Sequence, residues 1–157
     1  MACTYLKTPL GFAAITGDEQ GISSILIVDE VQEFDVEPPS VLADAVTQLH
    51  DYFYGQRKTF TFGINPAGTA FQQKVWNELF RIPFGETTSY LSLSKKLGDV
   101  KAIRAVASAN GKNPLWVVVP CHRVIGSNGS LTGYAGGLWR KKWLLEHENP
   151  SNQQSLF

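Results

Sequence analysis

The sequence predicts an α/β fold in two parts, a small strand-rich domain followed by a mostly helical one, and three observations carry that expectation. Strand-like stretches broken by Gly- and Pro-containing turns fill the first 30 residues, whereas helical spacing dominates from residue 40 onward. The chain has 157 residues, room for one large domain or two small ones, and its 43% apolar and 18% charged content excludes wholesale disorder. Charge is divided along the chain: residues 1–54 carry nine acids and the single base Lys7, and the remainder thirteen bases and five acids. The two halves therefore stand at −8 and +8, an asymmetry that points to a polyanion meeting the second half or to attraction between the halves.

Residues 2–8, 11–17 and 22–29 read as short strands, separated by Pro9-Leu10-Gly11 and by Gly17-Asp18-Glu19-Gln20-Gly21, both antiparallel turn signals. After Pro38-Pro39, Ser40 can cap a helix in which Val41, Leu42, Ala45, Val46, Leu49, Tyr52 and Phe53 recur at helical spacing until Gly55. Residues 55–68 form a connection. Thr69 then caps a helix with Phe71, Val75, Trp76, Leu79 and Phe80 on one face, stopped by Pro83-Phe84-Gly85. Thr87, Thr88 and Ser89 offer caps for a helix to about Leu97. Gly98-Asp99-Val100 turns the chain into another helix, from 101 to about 110. Two short helices joined by a Gly-containing turn outline a helix-turn-helix or a surface pair in a bundle. Lys101 and Arg104 share a face of the second one. Leu138–His147 is helical, with Trp143, Leu144 and Leu145 expected inward, and Pro150 prevents continuation.

The chemistry gathers at Pro120-Cys121-His122-Arg123-Val124. The run Trp116-Val117-Val118-Val119 before it reads as a short buried strand, which Pro120 should end, presenting Cys121 just beyond. A thiol followed by His and Arg has neighbours that favour the thiolate, the nucleophilic form, whereas a packing strand has little use for them. Cys3 and Cys121 could form at most one bridge, which suggests a reducing compartment and a free Cys121. No apolar run approaches membrane-spanning length, so a cytoplasmic protein without a membrane partner is expected. Scattered His and Cys lack metal-ligand spacing, and the loop Leu131-Thr132-Gly133-Tyr134-Ala135-Gly136-Gly137 lacks the Lys-Ser/Thr ending of a phosphate cradle.

The chain resembles the 6-O-alkylguanine-DNA alkyltransferases, the direct-reversal DNA repair family, over nearly its whole length. The resemblance rests on Thr8-Pro9-Leu10-Gly11, Gly85-Glu86-Thr87-Thr88-Ser89-Tyr90, Arg104-Ala105-Val106 and Asn113-Pro114. It continues through the cysteine motif, Gly133-Tyr134-Ala135-Gly136-Gly137 and Trp143-Leu144-Leu145-Glu146-His147-Glu148. It implies a ribonuclease-H-like amino-terminal domain with its connection (1–66), a catalytic domain (67–149) with a helix-turn-helix at about 88–111, and a tail (150–157). It also implies irreversible, single-use transfer of an alkyl group from the 6-oxygen of guanine in duplex DNA to Cys121, without a cofactor or metal. His122 would be the base through a water, Glu148 its orienting carboxylate, and Asn113 the tie behind the nucleophile. Tyr90 would serve both the phosphate and the leaving guanine. Arg104 would enter the stack vacated by the flipped nucleotide, as chemistry on a paired base requires extrusion. Lys101, Ala105, Ala109 and Arg123 are assigned with them to DNA. Backbone groups of Cys121, Val124 and Ala135 would read the guanine edge, with Tyr134 lining the pocket. Trp116 stands where some members have a proline bordering the alkyl channel; the alternative is that its ring points into the core. Cys3 and His50 are too few for the structural zinc that some relatives carry.

Two other classes compete. A non-catalytic lesion-binding relative would lack the cysteine, which is present. A cysteine hydrolase would need a base in direct reach of the thiol and a preformed oxyanion hole, which adjacent Cys and His do not favour. A monomer is expected. The tail Gln153-Gln154-Ser155-Leu156-Phe157 resembles the bacterial sliding-clamp-binding motif, with Gln154 where leucine is common.

Overall fold

Small and β-branched residues alternating with polar ones build an antiparallel meander, β1 (Ala2–Thr8), β2 (Gly11–Asp18) and β3 (Gly21–Val28), in that spatial order. The computed structural model describes residues 1–30, 37–126, 134 and 136–150. It comprises two compact units, Met1–Ala67 with Pro114–Trp116, and Gly68–Asn113 with Val117–Phe157. In the first, the β1–β2 register runs from Ala2 opposite Gly17 to Thr8 opposite Gly11. Thr8 fixes that turn: its Oγ1 donates to the Gly11 carbonyl (2.7 Å) and accepts from the Leu10 amide (3.1 Å). Period-two burial puts Ala13 and Ile15 of β2 in the core, and a register shift in the β2–β3 pairing lets Ile22 and Ile25, three residues apart on β3, both join them.

The helix α1 spans Ala43–Phe53, entered through a 3-10 turn at Ser40–Leu42, and buries Ala45, Leu49, Tyr52 and Phe53. Ser40 lies inside that turn and makes no capping bond, so the expected cap is replaced by backbone pairing of the Leu42 amide with the Pro39 carbonyl. Buried Gln48 binds the connection: its Nε2 donates to Thr61 Oγ1 (2.9 Å) and its Oε1 accepts from the Thr61 amide (2.8 Å). Pro114–Trp116 completes the unit. Ile25 and these residues exchange backbone hydrogen bonds of 2.8 and 3.0 Å, and Trp116 stacks on Phe53 with centroids 5.6 Å apart.

In the second unit, α2 (Ala70–Phe80) begins as expected with Thr69, in a full capping box with Gln72. Its inward face is narrower than the periodicity suggested. Val75, Trp76 and Leu79 are buried, but Phe71 and Phe80 at its two ends are 39% and 45% exposed. Next come β4 (Thr88–Ser89) and α3 (Tyr90–Lys96), capped by Ser89 Oγ on the Ser92 amide (3.0 Å). A 3-10 turn at Val100–Ala102 leads into α4 (Ile103–Gly111). Trp76 Nε1 donates to the Ala109 carbonyl (2.9 Å), locking α2 onto α4. The strand β5 (Val124–Ile125) pairs in parallel with β4, Thr88 opposite Val124. Helix α5 (Leu138–Glu148) buries Lys141, Leu144, Leu145 and Glu148; Trp143, expected inward, is half-buried and stacks on His147 (4.8 Å).

The run Trp116–Val119 is not a strand. It is a buried turn in which Val117 takes φ +71°, a conformation that costs a β-branched residue on the order of 1–3 kcal/mol. An apolar run signals burial, and burial alone does not choose between ladder and turn. Among the described residues, no helix is long and apolar enough to cross a membrane.

Candidate active site

Cys121 opens a 3-10 turn, Cys121–Arg123, immediately after that strained segment. Its amide donates to the Val119 carbonyl (2.8 Å), and Asn113 Nδ2 donates to the same oxygen (2.6 Å), so the turn is closed from both sides. The side chain is 8% exposed. Burial pushes the thiol up from its ordinary range, and hydrogen bonding from Asn113, the Lys141 charge, and Tyr134 only partly oppose it. The resting group is therefore a thiol, which corrects the thiolate expected from the neighbouring His and Arg. Those two side chains point their chemistry elsewhere.

His122 is fully buried, with Nε2 2.8 Å from Glu148 Oε2. A carboxylate at Nε2 holds the proton there, leaving Nδ1 with its lone pair. Nδ1 is buried and has no partner among the described residues. Burial lowers the His122 pKa, Glu148 opposes, and the Arg123 and Lys141 charges lower it further, so the ring rests neutral as an available base. Burial would raise the Glu148 pKa, but His122 and Arg123 hold it well below the carboxylate range.

Arg123 makes that possible. It is buried, its Nε donating to Glu148 Oε1 (2.7 Å), Nη2 to Oε2 (2.9 Å) and Nη1 to the Ile82 carbonyl (2.5 Å). A guanidinium forked onto a carboxylate inside the protein is not offered to a phosphate, so its assignment to DNA is corrected to the orientation of Glu148. Lys141, which the sequence reading missed, is fully buried with Nζ donating to the Val124 carbonyl (2.7 Å). Burial lowers it to about 8, so it is still mostly cationic at neutral pH while it faces Cys121. Its signal was there: 141, 144, 145 and 148 share one face of a helix whose other occupants were read as inward or catalytic.

Val124 is buried on β5 opposite Thr88, and Tyr90, half-buried at the start of α3, follows directly on the paired β4. Arg104, Lys101 and Ala105 are exposed on and just before α4. Ala109 is not: it is 3% exposed under Trp76, because α4 turns that position toward α2, and it leaves the proposed DNA face. Trp116 belongs to the first unit and packs on Phe53, the alternative its position left open. Tyr134 is half-buried; Ala135 and the tail 151–157 lie outside the described residues. No group of three or more His, Cys, Asp or Glu that could hold a metal ion occurs among the described residues.

Residues 1–66 match the ribonuclease-like domain of 6-O-methylguanine DNA methyltransferase, and residues 70–150 its DNA-binding domain. The methylated-DNA–protein-cysteine methyltransferase of Methanosarcina acetivorans is 44% identical over 153 residues, covering 94% of this chain and 98% of its own. The constitutive enzyme of that name from Bacillus subtilis is 43% identical over 160 residues, covering 96% and 97%. Among solved structures, Mycobacterium tuberculosis OGT in complex with DNA superposes with a TM-score of 0.86 at 38% identity, covering 96% of this chain and 94% of that one.

Proposed function

As a member of the 6-O-methylguanine-DNA methyltransferase family, this chain repairs DNA by alkyl transfer to a protein cysteine, and we propose that Cys121 is the acceptor, driven by a neutral His122. The observation that carries this is the buried Nδ1 of His122, an unoccupied base held in one tautomer by Glu148. The thiol proton passes through a water to Nδ1, since adjacent side chains seldom meet directly. The sulfur electron pair forms a bond to the alkyl carbon as the carbon–O6 bond breaks, its electrons going to guanine. A proton from the Tyr90 hydroxyl reaches the leaving base, and His122 returns its proton as Tyr90 is restored. Asn113 and Lys141 stabilise negative charge on the sulfur. Arg104 fills the gap left by the flipped nucleotide, with Lys101 and Ala105 against the backbone, while Val124, Tyr134 and Ala135 hold the guanine. The thioether product has no easy return to thiol, so each molecule acts once.

Mass spectrometry after incubation with a 6-O-methylguanine duplex tests this: one methyl group on Cys121, and none in Cys121→Ser. A methyl group on Cys3, or many repaired duplexes per protein molecule, refutes it. We also read the protein as a cytoplasmic monomer whose tail, Gln153–Phe157, docks on a sliding clamp. That tail reading rests on sequence alone. A peptide of residues 149–157 should bind the clamp and its Leu156→Ala, Phe157→Ala form should not; equal behaviour of the two ends the idea.

A further inference from the structure

Trp139 leaves 57% of its surface in water at the start of α5, where no packing requirement asks for an indole. It is nevertheless held in place. The Arg140 guanidinium lies 4.6 Å from its ring centroid, and Arg140 Nη1 is itself tied to the Gly136 carbonyl (3.0 Å). The ring edge rests on Gly137, which takes φ +93°; a Cβ there would sit 3.4 Å from the indole Cδ1. Gly136 is covered in turn by Tyr134, whose ring would lie 3.0 Å from a Cβ at that position. Tyr134, Gly136, Arg140 and Trp139 thus form one continuous stack, running from the side chain that hydrogen-bonds near Cys121 to an indole in solvent.

We propose that Trp139 docks the lesion-bearing DNA strand beside the flipped nucleotide, stacking on a base or sugar, with Arg140 as the residue that positions its ring. The occupant follows from three features of the site. The partner of residues 70–150 is DNA, by their match to the family's DNA-binding domain. Arg140 and Lys142 are half-buried cations beside Trp139, and no acid lies between Leu138 and Leu145, so the accessible charge there is positive and matches a phosphate backbone. A nucleotide whose alkyl carbon reaches Cys121 must also bring its own strand close to Tyr134, where the stack begins. An indole with its orientation already fixed loses little freedom on stacking, which is the use of such platforms on single-stranded segments.

The inference rests on alkyl transfer to Cys121, and its test separates the two. Transfer rates of full-length Trp139→Ala and Trp139→Phe are measured with a 6-O-methylguanine duplex and with free 6-O-benzylguanine base. Trp139→Ala should react about tenfold more slowly with the duplex and unchanged with the free base, and Trp139→Phe should recover most of the loss. An unchanged duplex rate, or equal losses on both substrates, overturns the proposal, the latter by placing Trp139 in the pocket or the fold. A loss seen with bulky adducts in duplex but not with methyl overturns it in favour of a wall against the alkyl group. Failure of the acceptor reading would look different, as no Cys121 product from either substrate in the unaltered protein.

Discussion

Replacing Arg123 with methionine removes a guanidinium that makes three buried hydrogen bonds, two of them to Glu148. Breaking a buried ion pair from one side costs about 3–5 kcal/mol, because the remaining charge stays in a poorly solvated site. The Ile82 carbonyl loses its partner as well, at about 1 kcal/mol. Arg123→Met should therefore lose about 5 kcal/mol, a large part of the roughly 5–15 kcal/mol available to a domain of this size. With a urea m-value of about 2 kcal/mol/M, the midpoint falls by about 2.5 M. The companion is the double variant Arg123→Met, Glu148→Met. Replacing both partners by apolar groups leaves no stranded charge, so it should regain about 3 kcal/mol over the single variant while transferring no alkyl group. The pH dependence has a definite sign. Glu148 titrates in the folded protein far below its ordinary 4.5, so its stabilisation is complete above about pH 4.5 and is lost as pH falls toward the folded value. Without Arg123 the depression shrinks and that loss begins at higher pH. A single-variant loss below about 1 kcal/mol, the scale of an exposed pair, would refute the reasoning, as would a double variant no more stable than the single one.

Lys141→Met keeps the volume and removes the cation facing Cys121; transfer at neutral pH should fall about a hundredfold, the scale of removing one preorganised stabilising group. Because Lys141 titrates at about 8, the pH–rate profile of the unaltered protein should change slope there, and that of the variant should not. Asn113→Ala removes one of the two donors to the Val119 carbonyl and a donor to the sulfur; urea unfolding should register a loss of about 1–2 kcal/mol and stopped-flow transfer a slower rate. Val117→Gly relieves a positive φ that Val118→Gly does not, so the first should be less destabilising than the second by about 1–2 kcal/mol in paired denaturation curves.

Local rules carried the sequence reading a long way. The meander, the cap at Thr69 and the cap at Ser89 each depend on a few adjacent residues, and each formed where expected. The proximity of His122 and Glu148, 26 residues apart, came from the family resemblance and not from any pattern in the residues. What could not be read were the partners chosen at long range. Arg123 looked like a surface cation because nothing local shows that Glu148 and the Ile82 carbonyl will enclose it. Ala109 looked like a groove-facing small residue until Trp76, 33 positions away, covered it. Val117-Val118-Val119 read as a strand because β-branched residues favour one, and a tertiary constraint around Asn113 overrode that preference.

The buried, un-ionised state of Cys121 has a consequence for a protein that can be used only once. Oxidants and electrophilic metabolites consume thiolates in proportion to their ionisation and exposure, and Cys121 offers little of either. Cys3, exposed on β1, is the thiol such reagents meet first, and its loss touches none of the groups around the nucleophile. Buried and protonated, the acceptor keeps its single reaction until a nucleotide enters and draws its proton away.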